Sequence, residues 1–147
     1  GLTFELSPPV LYELGLGPAL DWLGESLQRK HGLKVTVRDR GPSGLTDDLK
    51  VLLWKCAREL AHNIVKHAAA NTVVIELSED QGDVVLEVGD DGRGFDHAGV
   101  RHGGRDCFGL FSIEERMRDV GGGLAVDSAP GRGSRIRLTA PLTGETP

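Results

Sequence analysis

The stretch Val84–Gly94, VVLEVGDDGRG, decides the fold, because a core strand runs there directly into a pair of glycines and not into a helix. Apolar residues recur at every second position from Val84 to Val88, which predicts a strand with one buried side. Continuing this alternation places Asp90 on the buried side. A carboxylate there is costly to bury unless a hydrogen-bond donor faces it. The sequence therefore predicts a polar group aimed inward at the end of a core strand.

Two glycines follow this aspartate at once. Gly92 and Gly94 are spaced by one residue, and glycines in such a pair let the backbone approach a ligand closely. An inward Asp90 could accept a hydrogen bond from the exocyclic amino group of a purine and so discriminate adenine from guanine by hydrogen-bond polarity. The alternative is an ordinary turn, because Asp-Gly pairs commonly end strands.

The remaining sequence surrounds this segment with alternating and helical patterns. These patterns predict three helices, Pro18–His31, Thr46–His67 and Leu110–Val120, and five strands, Leu33–Arg38, Thr72–Leu77, Val84–Val88, Leu124–Ser128 and Ser134–Ala140. Helices do not separate the strands one by one. We therefore predict an α/β fold, a two-layer sandwich in which a mixed five-stranded sheet carries about three helices on one face. Residues 1–17 are expected to be an irregular or briefly helical entry segment, 18–142 the folded domain and 143–147 a polar tail.

The predicted helix Thr46–His67 carries three polar residues along one edge of its apolar stripe. Glu59, Asn63 and Lys66 fall within about 60° of one another if each residue turns the helix by about 100°. An amide oxygen is a suitable ligand for Mg²⁺, a carboxylate can bind metal-held water or polarise a nucleophile, and an ammonium group can meet phosphate oxygens. The alternative is a solvated helix face with no ligand.

A glycine-dense stretch from Gly89 to Gly109 shows neither strand nor helix periodicity. A loop of about 20 residues inside a small domain is usually a lid or a binding loop. It ends at the start of the third predicted helix, where the Leu110 amide and its neighbours could bind phosphate. Neither GxxxxGK(S/T) nor GxGxxG occurs in the chain, so an ordinary P-loop or dinucleotide fold is not indicated.

Composition excludes several classes of function. The 147 residues include 17 Lys and Arg against 22 Asp and Glu, which gives a net charge of −5 and argues against binding to nucleic acid or to an anionic membrane surface. No apolar run reaches the roughly 20 residues of a membrane helix, so direct membrane insertion is not expected. Two cysteines are too few for a disulfide framework, which favours a reducing, cytoplasmic location. The five histidines lack zinc-site spacing. Glycine is unusually frequent, at 21 residues.

Four segments, taken in order, resemble the motifs of one family, the ATP-binding catalytic domain of sensor histidine kinases, within the superfamily shared with gyrase, ninety-kilodalton heat-shock chaperones and mismatch-repair ATPases. They are RELAHNIVKHA at Arg58–Ala68, DDGRGF at Asp90–Phe95, FGLFSIEERM at Phe108–Met117 and PGRGSRIRL at Pro130–Leu138. They look like the asparagine box, two glycine boxes and the closing glycine turn. The upstream LSPPVLYELGL and PALDWL further resemble the nitrate, redox and membrane-fluidity sensors. The implied fold is the Bergerat-type ATP-binding sandwich.

The resemblance implies catalytic and phosphate-end roles for four residues of the asparagine box. Asn63 would ligate Mg²⁺, and Glu59 would lie in the metal and γ-phosphate surroundings. Lys66 and His67 would contact phosphate. The implied cofactors are therefore ATP and Mg²⁺.

The resemblance also implies the adenine end of the site. Asp90 would bind the adenine amino group, Gly92 and Gly94 would shape its pocket, and Ser134 would lie near Asp90.

Two residues at the start of the third predicted helix complete the implied site. Gly109 and Leu110 would close a lid on the phosphates. Relatives often have histidine just before the Phe-Gly-Leu segment, whereas Cys107 stands there in this chain. A phosphate contact from that position is therefore not implied.

The implied reaction is transfer of the ATP γ-phosphoryl group to a histidine on a dimerisation domain of a homodimeric parent kinase, and then to an aspartate of a response regulator. The chain has no recognisable phospho-acceptor helix, so it is expected to bind ATP without autophosphorylating. Its parent could be anchored in a membrane. The alternatives are an anti-sigma-factor serine kinase, which shares the superfamily boxes, and a non-catalytic nucleotide-binding docking module.

Overall fold

A computed structural model describes residues 8–42, 44–94 and 109–142 of the chain. Its α-helices are α1 (Pro9–Glu13), α2 (Leu16–His31), α3 (Asp47–Asn63) and α4 (Leu110–Asp119). Its strands are β1 (Lys34–Asp39), β2 (Thr72–Asp80), β3 (Asp83–Asp90), β4 (Gly123–Ser128) and β5 (Ser134–Pro141). A π-helical turn, Ile64–Ala68, directly continues α3.

The five strands form one mixed sheet in the order β1-β2-β3-β5-β4. β1 pairs with β2 in parallel, and the other three pairings are antiparallel. The helices α2, α3 and α4 pack against the same side of this sheet, on β1, on β3, and on β4 and β5 respectively. This arrangement confirms the predicted two-layer sandwich with a mixed five-stranded sheet.

The elements begin and end close to the predicted residues. Gly32 ends α2 with a left-handed φ of 69°, and the Thr46 hydroxyl accepts a hydrogen bond from the Leu49 N–H at 3.2 Å to start α3. One difference concerns the glycine-dense stretch, for which the sequence predicts a loop from Gly89 onward. Gly89 and Asp90 instead extend β3, because both pair with the first residues of β5. Residues 95–108, which make up most of that stretch, lie outside the described residues.

The core lies between the sheet and the helices. Trp54 is fully buried, and its ring centroid lies 5.9 Å from that of Trp22. Leu11 of α1 and Leu16 at the start of α2 are buried in the same core. Helix α2 begins at Leu16, two residues before the predicted Pro18. The predicted division of the chain at residue 17 therefore falls inside α2.

The other side of the sheet carries charged side chains. Glu76 and Glu87 are directly opposite each other on β2 and β3, an arrangement that is destabilising for like charges. Each has an arginine partner at 3.3 Å, Arg40 for Glu76 and Arg135 for Glu87. These pairs offset the repulsion on a face that no helix of the described residues covers. Among the described residues, no helix is both long enough and apolar enough to cross a membrane.

Candidate nucleotide-binding site

A cavity of about 270 Å³ lies between the end of α3 with its π-helical turn and the paired ends of β3 and β5. Its volume is near the lower end of the roughly 300–1,000 Å³ usual for small-molecule sites. Six apolar residues contribute to its wall: Leu60, Ile64, Ala68, Val88, Leu110 and Ile136. Asn63, His67, Asp90, Arg93 and Ser134 add polar groups. An apolar wall with a few polar groups suits a flat heterocycle that carries hydrogen-bonding edges.

A larger, open depression of about 610 Å³ lies over the charged face of the sheet and shares Asp90 and Ser134 with the cavity. Charged residues such as Arg38, Glu76 and Glu87 contribute to its lining. The smaller cavity is the candidate site, because asparagine-box residues line it together with Asp90, whereas none of them is among the described residues that line the larger depression.

Asp90 is half-buried at the end of β3, and both of its carboxylate oxygens face internal donors. Oδ1 accepts a hydrogen bond from the Gly92 N–H at 2.8 Å, and Oδ2 accepts one from the Ser134 hydroxyl at 2.9 Å. These bonds supply the donors that an inward carboxylate requires. A carboxylate oxygen has two lone pairs, so each oxygen can accept a further hydrogen bond from a ligand.

The two glycines after Asp90 are required by contacts within the protein. A methyl group added at Gly92 would overlap the carbonyl oxygen of Ala68 in the π-helical turn. One added at Gly94, where φ is 67°, would overlap the carbonyl oxygen of Ala129. The spacing of these glycines predicts that they let the backbone approach a ligand closely. In the structure they let three backbone segments pack closely around the cavity.

Arg93, for which the sequence predicts no role, connects the turn after β3 to the asparagine box by hydrogen bonds. Its backbone N–H donates to the Ala68 carbonyl oxygen and its Nε donates to the His67 carbonyl oxygen, both at 2.7 Å. Its own carbonyl oxygen accepts from the Gly131 N–H at 2.5 Å. The turn after β3, the π-helical turn and the closing glycine turn are therefore joined at one residue. No short-range sequence signal marks such a role.

The sequence also predicts no role for Asp91, whose hydrogen-bond partners differ from those of its neighbour Asp90. Its Oδ1 accepts from the backbone N–H groups of Asn71 and Thr72, each at 2.8 Å, which fixes the start of β2. The hydrogen bond from Thr72, followed by that from Asn71, holds the pKa of the Asp91 carboxyl below its usual value. The adjacent aspartates thus face different partners.

The asparagine-box residues are not all on one edge as predicted. Asn63 is half-buried and lines the cavity together with His67, whereas Lys66 is exposed and, within the part of the chain that the structure describes, does not line it. The physical reason is the π-helical turn, whose wider i→i+5 hydrogen bonding ends the 100° progression at Asn63. The helical projection that grouped Glu59, Asn63 and Lys66 therefore does not extend to Lys66.

Glu59 faces α4 and is not among the described residues that line the cavity. Its Oε2 lies 2.6 Å from Nη2 of Arg116, and each of these side chains is 34% exposed. Its Oε1 lies so close to Gly109, the N-cap of α4, that a methyl group on that glycine would overlap it. Leu110, the first residue of α4, is buried and reaches the cavity wall. No pattern in the sequence indicates this contact of Arg116.

The described residues of the site offer hydrogen-bonding and charged groups. No group of three or more His, Cys, Asp and Glu side chains within residues 8–42, 44–94 and 109–142 is placed to hold a metal ion. Cys56, one turn before Glu59 on α3, is fully buried, and burial raises the pKa of its thiol to about 11. It is therefore an unreactive packing residue at neutral pH.

Comparisons with known proteins identify the family of this chain. The family model described as histidine kinase-, DNA gyrase B- and HSP90-like ATPase matches residues 48–144. The sensor histidine kinase NarS of Mycobacterium tuberculosis is 34% identical over 95% of this chain and 32% of its own length. An uncharacterised sensor-like histidine kinase of Chloroflexus aurantiacus is 36% identical over 96% of this chain and 25% of its own length. The chain thus spans between a quarter and a third of these relatives.

A solved structure shows the same fold. The blue-light-activated histidine kinase of Erythrobacter litoralis EL346 superposes with a TM-score of 0.72 at 20% identity, over 88% of this chain and 42% of that one. The relatives named above are sensor-type kinases, which favours that type over the anti-sigma serine kinase and the docking module considered from sequence. The chain belongs to the histidine kinase-, DNA gyrase B- and HSP90-like ATPase family and is an ATP-binding catalytic domain of the sensor histidine kinase type.

Proposed function

We propose that this domain binds Mg·ATP and presents its γ-phosphoryl group to a histidine on a dimerisation domain of a homodimeric parent kinase, from which the group passes to an aspartate of a response regulator. The observation that carries the proposal is the cavity beside the end of β3. There, the half-buried Asp90 carboxylate lines the cavity together with apolar residues and retains acceptor capacity, and Asn63 lines the same cavity.

The adenine ring would bind at the Asp90 end of the cavity. Asp90 would accept a hydrogen bond from the exocyclic amino group, while the Gly92 N–H at 2.8 Å and the Ser134 hydroxyl at 2.9 Å orient its carboxylate. A carboxylate whose orientation is fixed before the ligand arrives loses little freedom on binding, which favours affinity. Gly92 and Gly94 would act indirectly, by letting the backbone pack closely enough to shape this end.

The phosphates would extend toward Asn63 and the start of α4. His67 lines the cavity, and Lys66, which precedes it in the π-helical turn, is exposed; Lys66 would contact the outer phosphate oxygens. The first turn of α4, after Gly109 and including Leu110, presents backbone N–H groups that suit an anion.

The residues present fit a magnesium ion, because Mg²⁺ is usually held by one or two protein oxygens, waters and substrate phosphates. Asn63, half-buried on the cavity wall, would supply the protein oxygen. Glu59, whose carboxylate points at α4, would act on metal-held water or polarise the nucleophile. When bound, Mg²⁺ neutralises charge on the phosphate oxygens. The protein residues themselves would position the nucleotide and exclude water from its adenine end.

We place the domain in the cytoplasm and assign residues 18–142 to the ATP-binding unit, with 143–147 as a polar tail. Residues 8–17 would complete the core of this unit through Leu11 and Leu16. The partners would be the dimerisation and phospho-acceptor domain of the parent and a response regulator. We propose no binding to nucleic acid and no insertion of this domain into a membrane.

The proposal is tested by titrating the chain with a fluorescent ATP analogue, with and without Mg²⁺. Asn63→Ala should abolish the Mg²⁺-dependent part of the affinity. His62→Ala, which changes the exposed neighbour on α3, should leave it unchanged. The chain alone, incubated with radiolabelled ATP, should not accumulate acid-labile phosphohistidine. Wild-type Mg²⁺ dependence in Asn63→Ala, or phosphohistidine on the chain itself, would contradict the proposal.

A further inference from the structure

The contact between Glu59 and Arg116 joins two elements that are far apart in sequence. Arg116 Nη2 lies 2.6 Å from Glu59 Oε2, a distance typical of a charge-assisted hydrogen bond. Five other ion pairs of the described residues lie at 3.3–3.7 Å. The Glu59–Arg116 pair is also partly shielded from solvent on both sides, unlike the exposed pairs whose contribution is small.

Arg116 is itself held in place on α4. Its Nε donates to the backbone carbonyl oxygen of Ser112 and its Nη2 lies within hydrogen-bond distance of the Ser112 hydroxyl, both at 3.3 Å. Ser112 is one turn earlier on the same helix. The planar guanidinium is therefore oriented before it meets Glu59, and an arginine fork loses less freedom per hydrogen bond than a lysine.

The second oxygen of Glu59 is also fixed by α4. Oε1 lies against Gly109, and only a residue without a side chain leaves room for it there. The two oxygens of one carboxylate on α3 thus contact the N-cap residue and the second turn of α4. This carboxylate lies one helical turn before Asn63, the proposed metal ligand.

We infer that Arg116 is the positioning residue for Glu59, which it holds at a fixed orientation beside Asn63. The inference rests on the proposed function, because it gives Glu59 a place in the surroundings of the metal. The carboxylate charge is already compensated by Arg116. Glu59 therefore acts on metal-held water and does not replace it, and Arg116 influences metal binding only through Glu59.

The test compares four variants of the whole chain: Arg116→Gln, Glu59→Gln, the double variant and Arg116→Lys. The quantity measured is the Mg²⁺ concentration that gives half of the Mg²⁺-dependent gain in affinity for a fluorescent ATP analogue. Arg118→Gln is the matched control, because Arg118 lies on the same helix and is 67% exposed in a 3.6 Å pair with Glu114.

We expect Arg116→Gln and Glu59→Gln each to raise this Mg²⁺ concentration on the order of tenfold, as loss of an outer-shell contact does at other metal sites. The double variant should raise it no further, because both changes remove the same interaction. Arg116→Lys should recover part of the loss, and Arg118→Gln should match the wild type. Affinity for the analogue without Mg²⁺ should also match the wild type in Arg118→Gln.

A second measurement separates positioning from a general effect on folding. The carboxylate ¹³C resonance of Glu59, identified by its absence in Glu59→Gln, should move in Arg116→Gln and stay in place in Arg118→Gln. If Arg116→Gln does not fold, both measurements are made on Arg116→Lys. A Mg²⁺ requirement above that of the wild type together with a moved Glu59 resonance then supports the inference, and wild-type values of both overturn it.

Three outcomes would overturn the inference. The first is a wild-type Mg²⁺ requirement in Arg116→Gln while Asn63→Ala loses Mg²⁺ dependence. The second is a pair of single effects that multiply in the double variant, which would show that the two residues act independently. The third is an unmoved Glu59 resonance in Arg116→Gln. If Asn63→Ala also keeps full Mg²⁺ dependence, the proposed metal site itself fails, and the inference fails with it.

Discussion

Replacing Asp90 by asparagine should weaken ATP binding by roughly 10- to 150-fold while leaving the fold intact. The lost interaction is a hydrogen bond from the adenine amino group to a charged acceptor, which contributes about 1.5–3 kcal/mol, and about 1.4 kcal/mol corresponds to a factor of ten. The internal bonds survive the change. The asparagine carbonyl oxygen can accept from the Gly92 N–H, and the Ser134 hydroxyl can turn to accept from the new amide nitrogen. That nitrogen would then present donors where adenine also presents a donor.

The assay is a fluorescence titration with an ATP analogue modified on its ribose, together with urea unfolding of each variant. Asp91→Asn is the matched control, since it makes the same chemical change at the next residue, which does not line the cavity within the described part of the chain. Wild-type protein should also bind ITP, which lacks the exocyclic amino group, more weakly than ATP, and Asp90→Asn should narrow that difference. The reasoning is refuted if Asp90→Asn keeps wild-type affinity, or if Asp91→Asn weakens binding equally.

Three further substitutions test the packing around the site. Gly92→Ala should lower the free energy of unfolding by about 1–3 kcal/mol and weaken ATP binding, because its methyl group would overlap a backbone carbonyl; Gly123→Ala, with no atom within 4 Å, should change neither, and equal effects would contradict the packing argument. Thr46→Ala should cost about 1 kcal/mol in urea unfolding through loss of the cap of α3, and an unchanged midpoint would show that the cap contributes nothing. The Cys56 thiol keeps its proton up to about pH 11 when folded but releases it near pH 9.0 when unfolded, so this residue's stabilising contribution is complete below pH 9 and is lost by about pH 11. Relative to Cys56→Ala, the wild type should therefore lose about 2–3 kcal/mol of unfolding free energy between pH 8 and pH 11. If the unfolding free energies of the two proteins change in parallel with pH, the pKa of the Cys56 thiol is not raised by folding.

The architecture followed from local patterns in the sequence. The alternation of apolar residues from Val84 to Val88 and the apolar stripe of α3 each predict which face of the element is buried. These buried faces of the sheet and the helices form the common core. The ends of elements were less well predicted. β3 continues through Asp90 because β5 supplies hydrogen-bond partners there, and periodicity within one segment does not report its neighbours.

The candidate site divides in the same way. Asp90 was predicted to point inward from its position in the strand, and its half-buried carboxylate lines the cavity. The placement of Lys66 away from the cavity could not be predicted, because the change from α- to π-helical hydrogen bonding after Asn63 has no signature in the residues themselves. Arg93 was missed because its partners are backbone carbonyl groups, which every residue carries.

The sequence by itself determined the strand and helix pattern, the family motifs in their order and the inward aspartate, since each depends on residues within one short segment. The tertiary structure alone decided which segments meet. It brought Glu59 to Arg116 across 57 positions and seated Gly92 against the π-helical turn. Such contacts depend on how whole elements pack, and spacing along the chain carries no information about the distance between side chains on different elements. The same packing explains the glycine excess near the site, where Gly92, Gly94 and Gly109 give other parts of the protein room to approach.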